Sequence, residues 1–155
     1  MSTFPTAQWK GWDLDFLPEP VPVPFDPTYV VVFCITGSSF VLADIPDRGW
    51  TTPSGRIEAG ESARYAARRE AYEEAGVRLE EINLLGASRL SHDDEIRWTS
   101  VYVGRVTALE PLPVASESKG VSVVELDALP GIYADWNPLF EVLFDTALNS
   151  LRSQV

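Results

Sequence analysis

The chain has 155 residues but only one cysteine and one histidine. With Cys34 alone no internal disulfide can form, which fits a reducing cytoplasm. Cys34 lies in the apolar run Val30–Ile35, where a cysteine is usually a small buried hydrophobe and not a nucleophile. A lone His92 in a polar stretch cannot make a zinc site and is expected as an exposed turn residue. Cations are scarce as well. Twelve Lys and Arg stand against 23 Asp and Glu, a formal charge of −11. Such a surface repels nucleic-acid backbones and anionic lipid, so extended DNA or RNA is not an expected partner. No apolar run approaches the roughly 20 residues of a membrane span. Met1–Lys10 has no basic stretch followed by an apolar one, so no export signal is expected.

Apolar residues make up 45% of the chain, enough for one compact domain with its own core. Residues 1–28 read differently from 29–155. They carry Pro5, Pro18, Pro20, Pro22, Pro24 and Pro27, with Trp9, Trp12 and Phe16 between them. Pro18–Pro24 is expected to be extended, near polyproline II. The aromatics imply an arm that packs, on its own domain or on a second copy in a homodimer.

Tyr29–Thr36 is a β-branched and aromatic run, read as a buried strand that returns through Gly37-Ser38-Ser39 into Phe40–Asp44. Trp50–Pro53 suggests a short strand before the Gly-rich polar stretch Ser54–Glu61. Ser62–Ala75 is rich in Ala, Arg and Glu, lacks Pro and Gly, and stops at Gly76, which predicts a helix. Its small residues Ala63, Ala66, Ala67 and Ala71 recur at helical spacing and suit close packing on a sheet. Strands are expected around Leu84–Leu90, over Ile96–Thr107 across the turn Ser91–Glu95, and over Val121–Leu126. Asn137–Leu151 reads as a terminal amphipathic helix capped by Asn137, with Pro138 first in the helix.

On the central helix Glu70, Glu73 and Glu74 are three and four residues apart and share a face. Like charges so placed repel, unless water solvates them or a cation joins them. Hard oxygen ligands favour Mg²⁺ or Mn²⁺. A metal there could neutralise phosphate charge while a carboxylate orients or deprotonates water. Taken alone, such a cluster is more often a solvated surface than a metal site.

The spacing around it is more specific. From Gly55 five residues lead to Glu61, and seven more to Arg69-Glu70. Ala71, one residue, Glu73-Glu74, one residue, Gly76 and Val77 follow. This pattern resembles the Nudix hydrolase signature. It departs only at Ala71, where the family usually has a larger aliphatic, and at Ser54, where Gly-Gly is common. The resemblance implies an α/β fold: an α/β/α sandwich with a mixed β-sheet. It implies metal-dependent cleavage of a phosphoanhydride in a nucleotide or nucleoside diphosphate derivative. Residue by residue, it implies Glu70 and Glu74 as metal ligands and Glu73 as a ligand or water-orienting group. Glu61 would support them or hold a second ion, Arg69 would hold the carboxylates, and the Ser54 carbonyl would join the metal. Glu70 is the base candidate within the motif. Glu117 is the first choice for a further acidic ligand from a loop, with Asp93, Asp94 and Glu95 as alternatives.

Trp50, Tyr72 and Trp98 could stack on a base. Arg48, Arg56, Arg89 and Arg97 are phosphate-contact candidates. Segments marking the coenzyme A and NADH branches are absent, as is the proline that follows the motif in the ADP-ribose branch. That leaves a generic nucleotide pyrophosphohydrolase. Two other readings stay open: a nucleotide sensor without turnover, and an isoprenyl-diphosphate isomerase, which would want a reactive cysteine.

Overall fold

The computed structural model describes residues 4–21 and 26–153. Nine strands and two α-helices follow the sequence order β1 (Ala7–Trp9), β2 (Trp12–Pro18), β3 (Tyr29–Thr36), β4 (Ser39–Ile45), β5 (Gly49–Thr51), β6 (Ser54–Arg56), α1 (Ala63–Ala75), β7 (Val77–His92), β8 (Glu95–Leu109), β9 (Val121–Glu125) and α2 (Pro138–Arg152), among the described residues. A 3-10 turn, Leu126–Gly131, links β9 towards α2.

The sheet order is β1-β2-β7-β8-β3-β4-β5, with β6 added on β3 and β9 on β4. β3 and β8 run parallel and the other pairs antiparallel, so the sheet is mixed. Side chains of β3 and β4 alternate between two cores, as the two-residue strand period requires. Val30, Val32, Cys34, Val41 and Ala43 face α1, packing against Ala66, Ala67, Ala71 and Ala75. Phe33, Ile35, Phe40 and Leu42 face α2, packing with Leu139, Phe144, Ala147 and Leu148. Alanines let α1 approach the sheet closely, while α2 fills a wider gap with Leu and Phe. The result is an α/β/α sandwich.

Both helices start and stop on local signals. Ser62 accepts the Tyr65 N–H at 3.1 Å and Asn137 accepts the Phe140 N–H at 3.0 Å. Each such cap stabilises its helix by about 1 kcal/mol. Gly76 ends α1 in the left-handed region at φ 66°. Glu73 and Glu74 occupy the last turn of α1, the negative end of its dipole, where anions are unfavourable by about 0.3–1 kcal/mol each. Folding alone gives no reason for that placement.

The structure sharpens three expectations. The N-terminal segment forms two strands of the same sheet: β2 pairs with β7 from Asp13↔Ser91 to Pro18↔Gly86, and Leu14 and Phe16 enter the α2-side core. Pro18 therefore ends a β-strand, and Pro22–Pro24 lie outside the described residues. The Gly-rich stretch is partly ordered as β6, because Tyr29–Val31 offers a free strand edge before β4 begins to pair with β3. The strand around Leu84–Leu90 runs the full length of β7, since β8 pairs with it throughout.

Candidate metal centre and adjoining cavity

β6 brings the two ends of the glutamate motif together. Gly55 lies against Glu70 so closely that a Cβ on residue 55 would come within 2.7 Å of Glu70 Oε2 and nearer still to the rest of the carboxylate. One residue earlier, the Ser54 N–H donates to Glu74 Oε1 at 2.9 Å. The tight β4–β5 turn presents Arg48, whose Nη2 is 3.7 Å from Glu74 Oε2 and whose Nη1 donates to Ser54 Oγ at 3.3 Å.

Arg69 organises the other carboxylates. Its Nε and Nη2 both donate to Glu61, at 2.6 and 2.8 Å. Nη1 donates to Glu70 Oε1 at 2.8 Å and to Glu73 Oε2 at 3.2 Å, and Nη2 also reaches the Arg56 carbonyl at 3.0 Å. Glu61 accepts the Glu58 N–H as well, at 2.9 Å. The forked guanidinium suits this task and an ammonium would not.

The carboxylates differ in electrostatic state. The hydrogen bond from Arg69, then that from the Glu58 N–H, hold Glu61 below its ordinary value, and the Glu61 bond raises Arg69. Burial raises Glu70, with Arg69 opposing. Burial also pushes Glu74 up to about 7, the Ser54 N–H opposing and Glu70 adding to the shift. Desolvated anions so close together need a cation. Oε2 of Glu70 and Oε2 of Glu74 accept no hydrogen bond among the described residues. The free donors are carboxylate oxygens, which fit a hard divalent ion. Among the described residues no three acidic, histidine or cysteine side chains are gathered as a ready metal cage. Glu61, Glu70 and Glu73 instead converge on the Arg69 guanidinium.

A cavity of about 260 Å³ opens beside this centre, lined by Arg48, Thr51, Thr52 and Ser54 together with aromatic walls that include Tyr29 and Tyr133. A larger hollow of about 670 Å³ lies between the 3-10 turn and α2. Glu125, Asp127, Glu141 and Asp145 line it, a charge that repels phosphate. Of the two, the smaller cavity, with Lys10, Arg48 and Arg97 in its lining, is better suited to an anionic ligand.

The structure brings together Ser54, Glu61, Arg69, Glu70, Glu73 and Glu74. It does not join Glu117 to them: the residue is exposed in the loop before β9 and no ion pair or hydrogen bond links it to this cluster. Asp93 and Asp94 sit in the β7–β8 turn, with Glu95 starting β8. Trp50 and Trp98 do not line the cavity, and Tyr72 is covered by Arg78 at 3.7 Å. Of the four arginines, Arg48 and Arg97 line it. Arg56 instead donates to the Tyr29 hydroxyl and Arg89 pairs with Asp15. Cys34 is buried and its thiol is pushed up by burial, so the isomerase reading loses its reactive cysteine. Sequence reasoning missed Tyr29, Thr51 and Tyr133, because each is an ordinary strand or loop residue until folding gathers them.

The NUDIX domain model matches residues 26–144, which include the whole glutamate cluster and the first turns of α2. The chain belongs to the Nudix family. It is 32% identical over 94 residues to YtkD of Bacillus subtilis, whose description provisionally assigns it 8-oxo-dGTP diphosphatase activity. That match covers 61% of this chain and 60% of YtkD's length. The oxidized purine nucleoside triphosphate hydrolase of Danio rerio is 28% identical over 109 residues, covering 64% of this chain and 70% of that protein. Among solved structures, the Bacillus subtilis pyrophosphohydrolase BsRppH superposes with a TM-score of 0.76 over 94% of each chain, at 23% identity. A NUDIX hydrolase from Nitrosomonas europaea gives 0.63 over 77% of this chain and 88% of its own, at 19% identity. At such identities these likenesses establish the shared fold of the Nudix family. Members of the family generally use divalent metal ions. No helix among the described residues is long and apolar enough to cross a membrane.

Proposed function

We propose that this Nudix protein is a nucleotide pyrophosphohydrolase that breaks a phosphoanhydride bond with Mg²⁺ or Mn²⁺. The observation that carries this reading is the pair of desolvated carboxylates, Glu70 and Glu74, packed on Gly55 and Ser54 at the edge of a cavity with a cationic rim. Glu70 and Glu74 would hold the metal, with Glu73 and the Ser54 carbonyl beside them. When bound, the metal neutralises phosphate charge and makes water a better nucleophile. Glu61 stays on Arg69 and keeps the guanidinium from turning away. Within the motif Glu70 is the candidate to take the proton of the attacking water; in that role its Oε2 would face the water, and Glu74 with the Ser54 carbonyl would carry the metal.

The names of two relatives support a nucleoside triphosphate as substrate. The intact glutamate set supports turnover over sensing. A screen of nucleoside triphosphates, dinucleotides and sugar nucleotides with Mg²⁺ and Mn²⁺, reading phosphate and pyrophosphate, tests the proposal. Release is expected from at least one class and to stop when divalent metal is removed. Tight nucleotide binding with no release from any of them would point to a sensor.

A further inference from the structure

Most arginines of this chain are taken up by acceptors. Arg69, Arg78 and Arg89 meet carboxylates, and Arg64, Arg68 and Arg105 meet carbonyl oxygens. Arg97 is different. Its guanidinium lies over two rings, 4.8 Å from the centroid of Tyr29 and 5.2 Å from that of Trp12. No ion pair or hydrogen bond joins its side chain to another group among the described residues. The rings orient the guanidinium while its N–H donors stay unspent. In a chain of net charge −11, a cation held without a carboxylate is open to an anion from outside.

Strand alternation sets which way Arg97 faces. Arg97, Thr99 and Val101 share one face of β8, and all three line the cavity beside the glutamate centre. β3, which carries Tyr29, runs between β8 and β6, so Arg97 and Ser54 lie on strands about 10 Å apart. Lys10 lines the same cavity from the β1–β2 turn, with Nζ 5.0 Å from the Trp9 centroid. It too has no ion pair among the described residues, and Asp135, the one carboxylate of the described lining, pairs with neither cation. The β1–β2 hairpin thus supplies both Lys10 and a ring that holds Arg97, although it precedes residues 26–144, the span of the family model. We propose that Arg97, with Lys10, forms a second phosphate site in this cavity, which takes a phosphate of the substrate other than those held at the metal. This rests on the nucleotide-hydrolase reading and goes further in giving the N-terminal hairpin a part in choosing the substrate. Two kinds of ligand carry such a phosphate: a long polyphosphate chain at its far end, and a nucleotide extended through its sugar.

The test compares wild type with Arg97→Gln, Arg97→Lys and Lys10→Gln, as full chains without metal so that no ligand is consumed. Calorimetry measures binding of a nucleoside triphosphate, the same nucleotide extended by a 3′-linked nucleotide, inorganic tripolyphosphate and the parent nucleoside, beside thermal unfolding. Arg97→Gln is expected to weaken at least one phosphate-bearing probe roughly tenfold, the worth of a charge-assisted hydrogen bond. The loss should shrink as salt is raised. Arg97→Lys should recover part of it, and Lys10→Gln should cost roughly two- to fivefold. Nucleoside binding should not change. A loss that includes tripolyphosphate assigns the site to the polyphosphate chain, and a loss confined to the extended nucleotide assigns it to the sugar-side phosphate; either upholds the proposal. An equal loss for the nucleoside overturns it, as does a lower unfolding temperature with unaltered phosphate binding, or a wild type that binds no phosphate probe. If wild type hydrolyses nucleotides with Mg²⁺ but Arg97→Gln binds every probe as wild type does, the second site falls and the hydrolase reading stands. If nothing is hydrolysed yet Arg97→Gln loses phosphate affinity, the site stands and the hydrolase reading falls.

Discussion

Gly55 and Glu70, fifteen positions apart in sequence, are in contact: the space that a side chain at 55 would need is filled by the Glu70 carboxylate. The displaced group in Gly55→Ala is the far end of a flexible side chain. Stability should therefore change by no more than about 1 kcal/mol, while turnover falls by roughly a hundredfold because the carboxylate is misplaced. Gly76→Ala is the contrast. Its φ is 66° and the obstacle is the Glu110 backbone carbonyl, so the fold itself should lose about 1–3 kcal/mol. Denaturant unfolding and initial rates on the same samples separate the two.

Arg69 keeps three like-charged groups in one place through bonds to Glu61, Glu70 and Glu73. Replacing it with Ala should reduce Mn²⁺ affinity and turnover by roughly ten- to a hundredfold, the range typical of groups that orient metal ligands. Arg69→Lys should recover only part, since an ammonium cannot bridge Glu61 with two parallel bonds. Mn²⁺ titration by calorimetry checks this without relying on activity. Equal affinity in wild type and Arg69→Ala would remove the organising role.

Glu74 gives a pH dependence with a definite sign. Its folded value of about 7 lies above the ordinary 4.5, so between those values the folded chain binds more protons than the unfolded one. The metal-free protein should therefore lose stability as pH rises from about 4.5 to about 7. Glu74→Gln should abolish that component of the slope. Mn²⁺ affinity of the wild type should rise across the upper part of the same range, as the metal competes with a proton. Thermal unfolding from pH 5 to pH 8, with and without Mn²⁺, measures both.

Tyr133 ties the segment before α2 to the link between β5 and β6, through Thr52. Tyr133→Phe leaves the buried Thr52 N–H without a partner, which should cost about 1–3 kcal/mol. Urea unfolding gives the number directly. A loss near zero would mean that water replaces the phenol.

Local signals in the sequence carried much of the architecture. Ser62, Gly76, Asn137 and Pro138 mark helix ends by chemistry that acts within a few residues, and all four stand where the helices begin and end. The dense β-branched and aromatic run Tyr29–Thr36 marked a buried strand, and its side chains enter the cores on both faces of the sheet. The β2–β7 pairing was not legible, because the prolines and tryptophans near the N-terminus specify no partner. Only the edge of β7, far away in sequence, turns Trp12–Pro18 into a strand.

The glutamate cluster began as three carboxylates on one helical face, and helical geometry alone determined that they share it. The spacing to Gly55 and Glu61 identified the family, because fixed intervals of charge and glycine survive in sequence. Tertiary structure decided the rest. It set Glu61 on Arg69, buried Glu74 against Ser54, left Glu117 exposed, and isolated the hydroxyl of Thr51 while pairing that of Thr52. Desolvation and hydrogen-bond partnership belong to the assembled surroundings of a side chain, and no single stretch of sequence contains them.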